Sequence, residues 1–188
     1  MEKYYFTTRD LILMAVFGAM AGAFIMTTIP LKPVLPPGFP ALIFIPASTI
    51  FMLAARGLVG KSGAATITGL IFGIVATILP GGPPLIPLAK YIIMGVVIDV
   101  FLLLIRKEVD SSRLVSTITG AVSYPFLAVV AYAGFMLLEI ELPMKILGFK
   151  VSGILFVIII FAGLHTVLGA VGGFLAYSIL KRVRGTRH

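Results

Sequence analysis

The chain contains no cysteine and no tryptophan, and only 7 of its 188 residues are aspartate or glutamate. The missing thiols exclude disulfides, thiolate metal sites and cysteine nucleophiles together. The missing indoles leave tyrosine and phenylalanine to supply any large stacking surface. Histidine numbers 2, one of them the final His188, so a multi-histidine metal site is not expected. Charged residues make up 12% of the chain, where an ordinary soluble domain carries about a quarter. That deficit excludes a soluble globular domain.

What the chain has instead is long hydrophobic runs. Apolar residues make up 60%, and mean hydropathy is +1.14. Six runs stand out, at 11–29, 41–55, 64–79, 85–105, 114–138 and 152–180. A spanning helix takes about 20 residues, so the chain has room for this set and little else. Each run is expected to be helical, because in hydrocarbon the backbone N–H and C=O groups can bond only to each other. The expected fold is all-α, a single domain over 1–188 forming an integral membrane bundle of six transmembrane helices. The second run is short, which suits a helix either little tilted or lying partly inside the bundle. Thr7, followed three residues later by Asp10, reads as a capping box opening the first helix. That first run is also too long for a signal peptide and is followed by no small-residue cleavage site.

The 15 lysines and arginines bring the formal net charge to +8. No basic stripe with interleaved aromatics lies outside the apolar runs, so nucleic acid is not an expected partner. Topology accounts for the charge. With the N-terminus inside, every Lys and Arg falls at a cytoplasmic end except Lys32, Lys145 and Lys150 outside and Lys90 in the membrane. The positive-inside rule then places both termini in the cytoplasm of a multi-pass cell-membrane protein. Prolines sort the opposite way. Pro30, Pro33, Pro36, Pro37 and Pro40 crowd the first outer loop, and Pro80, Pro83 and Pro84 the second. Pro46 and Pro87 are expected in the first turns of their helices, and Pro125 inside the fifth. Two readings of the loops stand: clean helix stops, or a stiff rim over a pocket.

These features meet at residues 80–99, PGGPPLIPLAKYIIMGVVID, where a rigid turn feeds an apolar helix bearing Lys90 and Asp99. Each such charge costs about 2.5–3.5 kcal/mol near the bilayer centre on insertion scales. Lys90 is expected about 7.5 Å below the outer surface at 1.5 Å per residue. Its ammonium either snorkels to the headgroups or faces the bundle, to meet an acceptor on a ligand or Glu139. Tyr91 and Met94 extend this neighbourhood, and Tyr132 and Phe39 offer ring surface. At about 100° per residue, Asp99 points to the face opposite Lys90. It is either bonded to a neighbouring helix or an inner arginine such as Arg56, or part of a proton relay. His165, midway along the sixth run, is either interhelical glue or the floor of an outer pocket. Residues 54–62, AARGLVGKS, imitate a phosphate-binding loop. That motif needs a preceding strand and a βαβ unit, and here it is a turn between membrane helices.

Ala15, Ala19 and Ala23 recur every fourth residue beside Gly18 and Gly22, and Gly69/Gly73 and Gly169/Gly173 repeat the spacing. Such spacing permits close helix approach, either within the bundle or onto another protein. In its length, six runs, inner termini, long first outer loop and Ala15–Ala19 stripe, the chain resembles the substrate-binding S component of energy-coupling factor (ECF) vitamin ABC transporters. The resemblance covers nearly the whole length. It implies uptake of a small vitamin or vitamin precursor, held at the outer side by the first loop and later helices. It also implies a membrane coupling (T) subunit docked on Ala15, Ala19 and Ala23, and two separate ATPase subunits. On that resemblance this chain is no enzyme and needs no cofactor, and Lys90, Tyr132, Glu139 and His165 are its pocket candidates. The turn at 56–65 and the Pro-Gly-Gly-Pro turn at 80–83 resemble the YkoE-type subgroup, associated with hydroxymethylpyrimidine and thiamine. A stand-alone proton- or ion-coupled carrier using Asp99 and His165 is the alternative, with a non-transporting membrane scaffold beside it. An intramembrane enzyme lacks an acid–base–nucleophile set among the few polar groups.

Overall fold

A computed structural model describes residues 4–28, 39–78, 85–137, 145–146, 149–150 and 154–185. Its helices are α1 (Thr8–Thr28), α2 (Phe39–Val59), α3 (Ala64–Thr77), α4 (Leu85–Ile105), α5 (Arg113–Leu137) and α6 (Ile154–Gly185). α1 opens on the expected capping box. Thr7 N–H donates to Asp10 Oδ2 at 2.9 Å, and Asp10 N–H donates to Thr7 Oγ1 at 3.3 Å. Between α5 and α6 a two-residue ladder, β1 (Lys145–Ile146) with β2 (Phe149–Lys150), pairs antiparallel with Lys145 opposite Lys150. Hydropathy alone does not reveal so short a pairing.

Four stretches are long and apolar enough to cross a membrane: Thr8–Thr27, Leu42–Val59, Leu85–Ile105 and Ala162–Gly185. At 14 residues α3 is about 21 Å long, against a hydrocarbon core of about 30 Å. Among the described residues the chain is therefore a helical bundle with four helices of membrane-spanning character.

Neighbouring helices form a closed ring in the order α1, α3, α4, α5, α6, α2 and back to α1, and α2 also touches α3 and α5. α2 thus touches four other helices and is buried at every position from Met52 to Gly57. The expectation of a second helix partly inside the bundle holds. Its prolines are placed differently from expectation. Because α2 begins at Phe39, Pro40 occupies the first turn, where a missing N–H costs least, and Pro46 lies inside the helix. Pro125 likewise lies inside α5, which continues to Leu137.

Small residues set the closest contacts. Gly69 and Gly73 bring α3 against the backbone of α4 at Tyr91 and Leu88. Gly120 faces Gly169 and Gly173 across the α5–α6 seam, where Ser116 Oγ donates to Gly173 O at 2.6 Å. The α2–α3 turn uses Gly60 and Gly63 at φ 67° and 86°, left-handed backbone that a side chain would strain.

Candidate functional site

Two groups of polar and aromatic side chains cross this bundle. The first is centred on one turn of α2. Phe44 and Ser48, four residues apart, share a helix face. The Phe44 ring lies 6.1 Å from Phe72 of α3, which stacks on Tyr91 of α4 at 3.6 Å and 18°. Ser48 Oγ meets the Tyr124 hydroxyl of α5, and the Tyr124 ring stacks beside His165 of α6 at 6.1 Å and 30°. Ser48 Oγ also lies within hydrogen-bond distance of two carbonyls of its own helix, Phe44 O at 2.8 Å and Ile45 O at 3.1 Å, so one hydroxyl ties α5 to the α2 backbone. Thr49 Oγ1 donates to Ile45 O at 2.8 Å and completes a buried band of uncharged polar groups. Residues from five helices, α2 to α6, therefore meet along one seam.

Some of the anticipated residues fall on this seam. Tyr91 and Met94 are buried in the core, Tyr91 within the aromatic stack. Lys90 is half-buried, with Nζ 6.0 Å from the Tyr91 ring centroid. It sits at the border of the buried face of α4, whose middle is formed by Tyr91, Ile98 and Leu102. His165 is half-buried against Tyr124. The side chains of Phe39 and Tyr132, and Glu139 as a whole, lie outside the described residues. Sequence reasoning missed Phe44, Ser48, Phe72 and Tyr124. A Ser–Thr pair two residues beyond a proline in an apolar run was the available signal for Ser48. Phe72 is one phenylalanine of 14, and nothing local distinguishes it.

The second group lies at the end of the bundle that carries the start of α1, the α2–α3 turn, the α4–α5 loop and the end of α6. Here three of the charges, Asp10, Asp99 and Arg184, also satisfy a helix end. Asp99 Oδ2 accepts from both Thr66 N–H and Thr66 Oγ1 at 2.8 Å, capping the first turn of α3 from α4. Its other oxygen lies 3.0 Å from Arg56 Nε, an ion pair outside hydrogen-bond alignment, with side chains only 4% and 7% exposed. Arg56 Nη1 reaches on to Glu108 at 2.7 Å. Lys61 Nζ binds Asp10 Oδ2 at 2.6 Å and Tyr5 O at 2.8 Å. Arg184 pairs with Asp110 and donates to Gly57 O, a free carbonyl in the last turn of α2, at 2.5 Å. The expected link from Asp99 to Arg56 is present, and the capping of α3 is an addition that only packing reveals.

α1 separates its small residues by face. A Cβ on Gly18 would sit 2.7 Å from Thr68 O, and one on Gly22 2.6 Å from Val75 Cβ, so the glycines seat α3. Ala15, Ala19 and Ala23 are exposed on the strip beside them. Compared with known proteins, the chain matches no family model, no curated protein and no solved structure.

Proposed function

We propose that this membrane protein is the substrate-binding component of an ECF-type transporter, taking up a small vitamin or vitamin precursor. The observation that carries this reading is the exposed alanine ladder of α1. Ala15, Ala19 and Ala23 form a smooth exposed strip that none of the described helices covers, while the glycines beside them are used for internal packing. In lipid, close approach of small residues is a main route to helix association, so such a strip suits a membrane coupling subunit. Two ATPase subunits would drive the cycle, and this chain would bind and reorient. In this proposal all six helices lie in the membrane, the basic end faces the cytoplasm by the positive-inside rule, and Lys90 stands toward the outer side.

The aromatic and hydroxyl seam suits a flat, polar heterocycle of the hydroxymethylpyrimidine or thiamine kind, with Tyr91, Met94, His165 and Lys90 as contacts and Phe39, Tyr132 and Glu139 at the rim. The stand-alone proton-coupled alternative is weakened by Asp99, whose carboxylate is already engaged by Arg56 and Thr66. The test compares uptake with binding. Ala19→Leu should abolish uptake in cells holding the coupling and ATPase subunits while leaving the affinity of the purified chain for its co-purifying ligand unchanged. Loss of both would return the strip to internal packing. Lys90→Ala should weaken that binding without unfolding the chain, and unchanged affinity would assign Lys90 to headgroup contact.

A further inference from the structure

The basic end also offers a surface that the transport reading does not use. Each carboxylate among the described residues is committed within the chain: Asp10 to Lys61, Asp99 and Glu108 to Arg56, Asp110 to Arg184. Arg113, the first residue of α5, is exposed and meets none of them. Its guanidinium lies instead over two rings of α6, 4.8 Å from the Phe174 centroid and 5.9 Å from that of Tyr177. Stacking of this kind holds the cation flat and leaves its N–H edge for an acceptor. Lys181, also exposed, lies one turn beyond Tyr177 on the same face, about 6 Å along the axis. Two cations thus flank a tyrosine at the edge of an apolar surface.

That surface continues into the membrane region. Val167, Val171 and Phe174 follow one another on the same face of α6 and are 60%, 44% and 42% exposed. The face is therefore apolar along the helix and cationic at its end, the pattern of an anionic phospholipid.

We infer that the α5–α6 face binds one anionic phospholipid, its phosphate held between Arg113 and Lys181 and an acyl chain lying along Phe174, Val171 and Val167. The phosphate would supply a counter-charge that no described carboxylate gives Arg113, and the planar guanidinium suits a bidentate grip on two phosphate oxygens.

Native mass spectrometry of the full chain, released from detergent micelles titrated with phosphatidylglycerol or phosphatidylcholine, tests this. The expected result is a single retained phosphatidylglycerol and no comparable retention of phosphatidylcholine. Arg113→Gln with Lys181→Gln should weaken it roughly 30-fold, at about fivefold per charge near a headgroup. Arg113→Lys with Lys181→Arg keeps both charges and should retain most of the binding, which separates charge loss from misfolding. A second double variant, Arg9→Gln with Lys107→Gln, removes two exposed charges from the same end and should bind as the parent does. Equal retention of the two lipids, unchanged binding by the Arg113/Lys181 glutamine variant, or equal loss in the Arg9/Lys107 variant would each overturn the inference.

Discussion

The two polar regions of this bundle solve the cost of burying polarity in opposite ways. At the basic end, full charges such as Arg56 and Asp99 are buried, each carboxylate among the described residues meets a cation, and Asp10 and Asp99 also serve a helix terminus. Along the interior seam no carboxylate lies among the described residues, and Tyr124, Ser48 and Thr49 close their hydrogen bonds onto each other and onto α2 carbonyls. A paired buried charge becomes costly once its partner is gone, because the survivor keeps its desolvation penalty. A neutral hydroxyl loses only one modest bond. The basic end should therefore behave as a clamp, and the seam as a surface that tolerates change.

Three substitutions probe that contrast, in falling order of effect. Arg56→Ala strands Asp99 beside Thr66 and should cost about 3–5 kcal/mol in thermal unfolding in detergent. Adding Asp99→Asn keeps an acceptor for Thr66 N–H and removes the stranded charge, so the double variant should recover more than half of the loss. A double variant as unstable as the single one would mean that Arg56 acts by packing. Tyr124→Phe deletes the hydroxyl but keeps the ring beside His165, and the cost should be about 1 kcal/mol. Should it match Arg56→Ala, the proposed difference between the two regions fails. Arg184→Ala removes a half-exposed partner of Asp110 and a donor to Gly57 O, and about 0.5–1 kcal/mol is expected, shrinking as salt is raised. A cost that does not change with salt would assign the effect to the Gly57 cap rather than to the ion pair.

Particular residues show how far the chain could be read in advance. The Thr7–Asp10 box is local, and its hydrogen bonds form as the spacing required. The partnership of Asp99 with Arg56 was legible because a carboxylate in an apolar helix has few places to go. Tyr124, next to Pro125, carried no expectation from the sequence, although its ring and hydroxyl join α6 to α2. Nothing in a one-dimensional pattern brings positions 48, 124 and 165 together. Pro46 was misplaced for a simpler reason: hydropathy registers where a run becomes apolar, whereas the helix had already started at Phe39 and Pro40.

The sequence by itself determined that this is a helical membrane-type chain with charge gathered at one end, because low charge, long apolar runs and unsatisfied backbone in lipid leave few options. Tertiary structure alone decided which small residues pack and which stay open, since Gly18 and Ala19 are adjacent yet one is packed against α3 and the other is exposed. It also set α2 against four other helices, where its Phe44–Ser48 turn meets rings of α3 and α5. Apolarity says that a helix must be covered, and only the fit of glycines against neighbouring backbones selects the face that is.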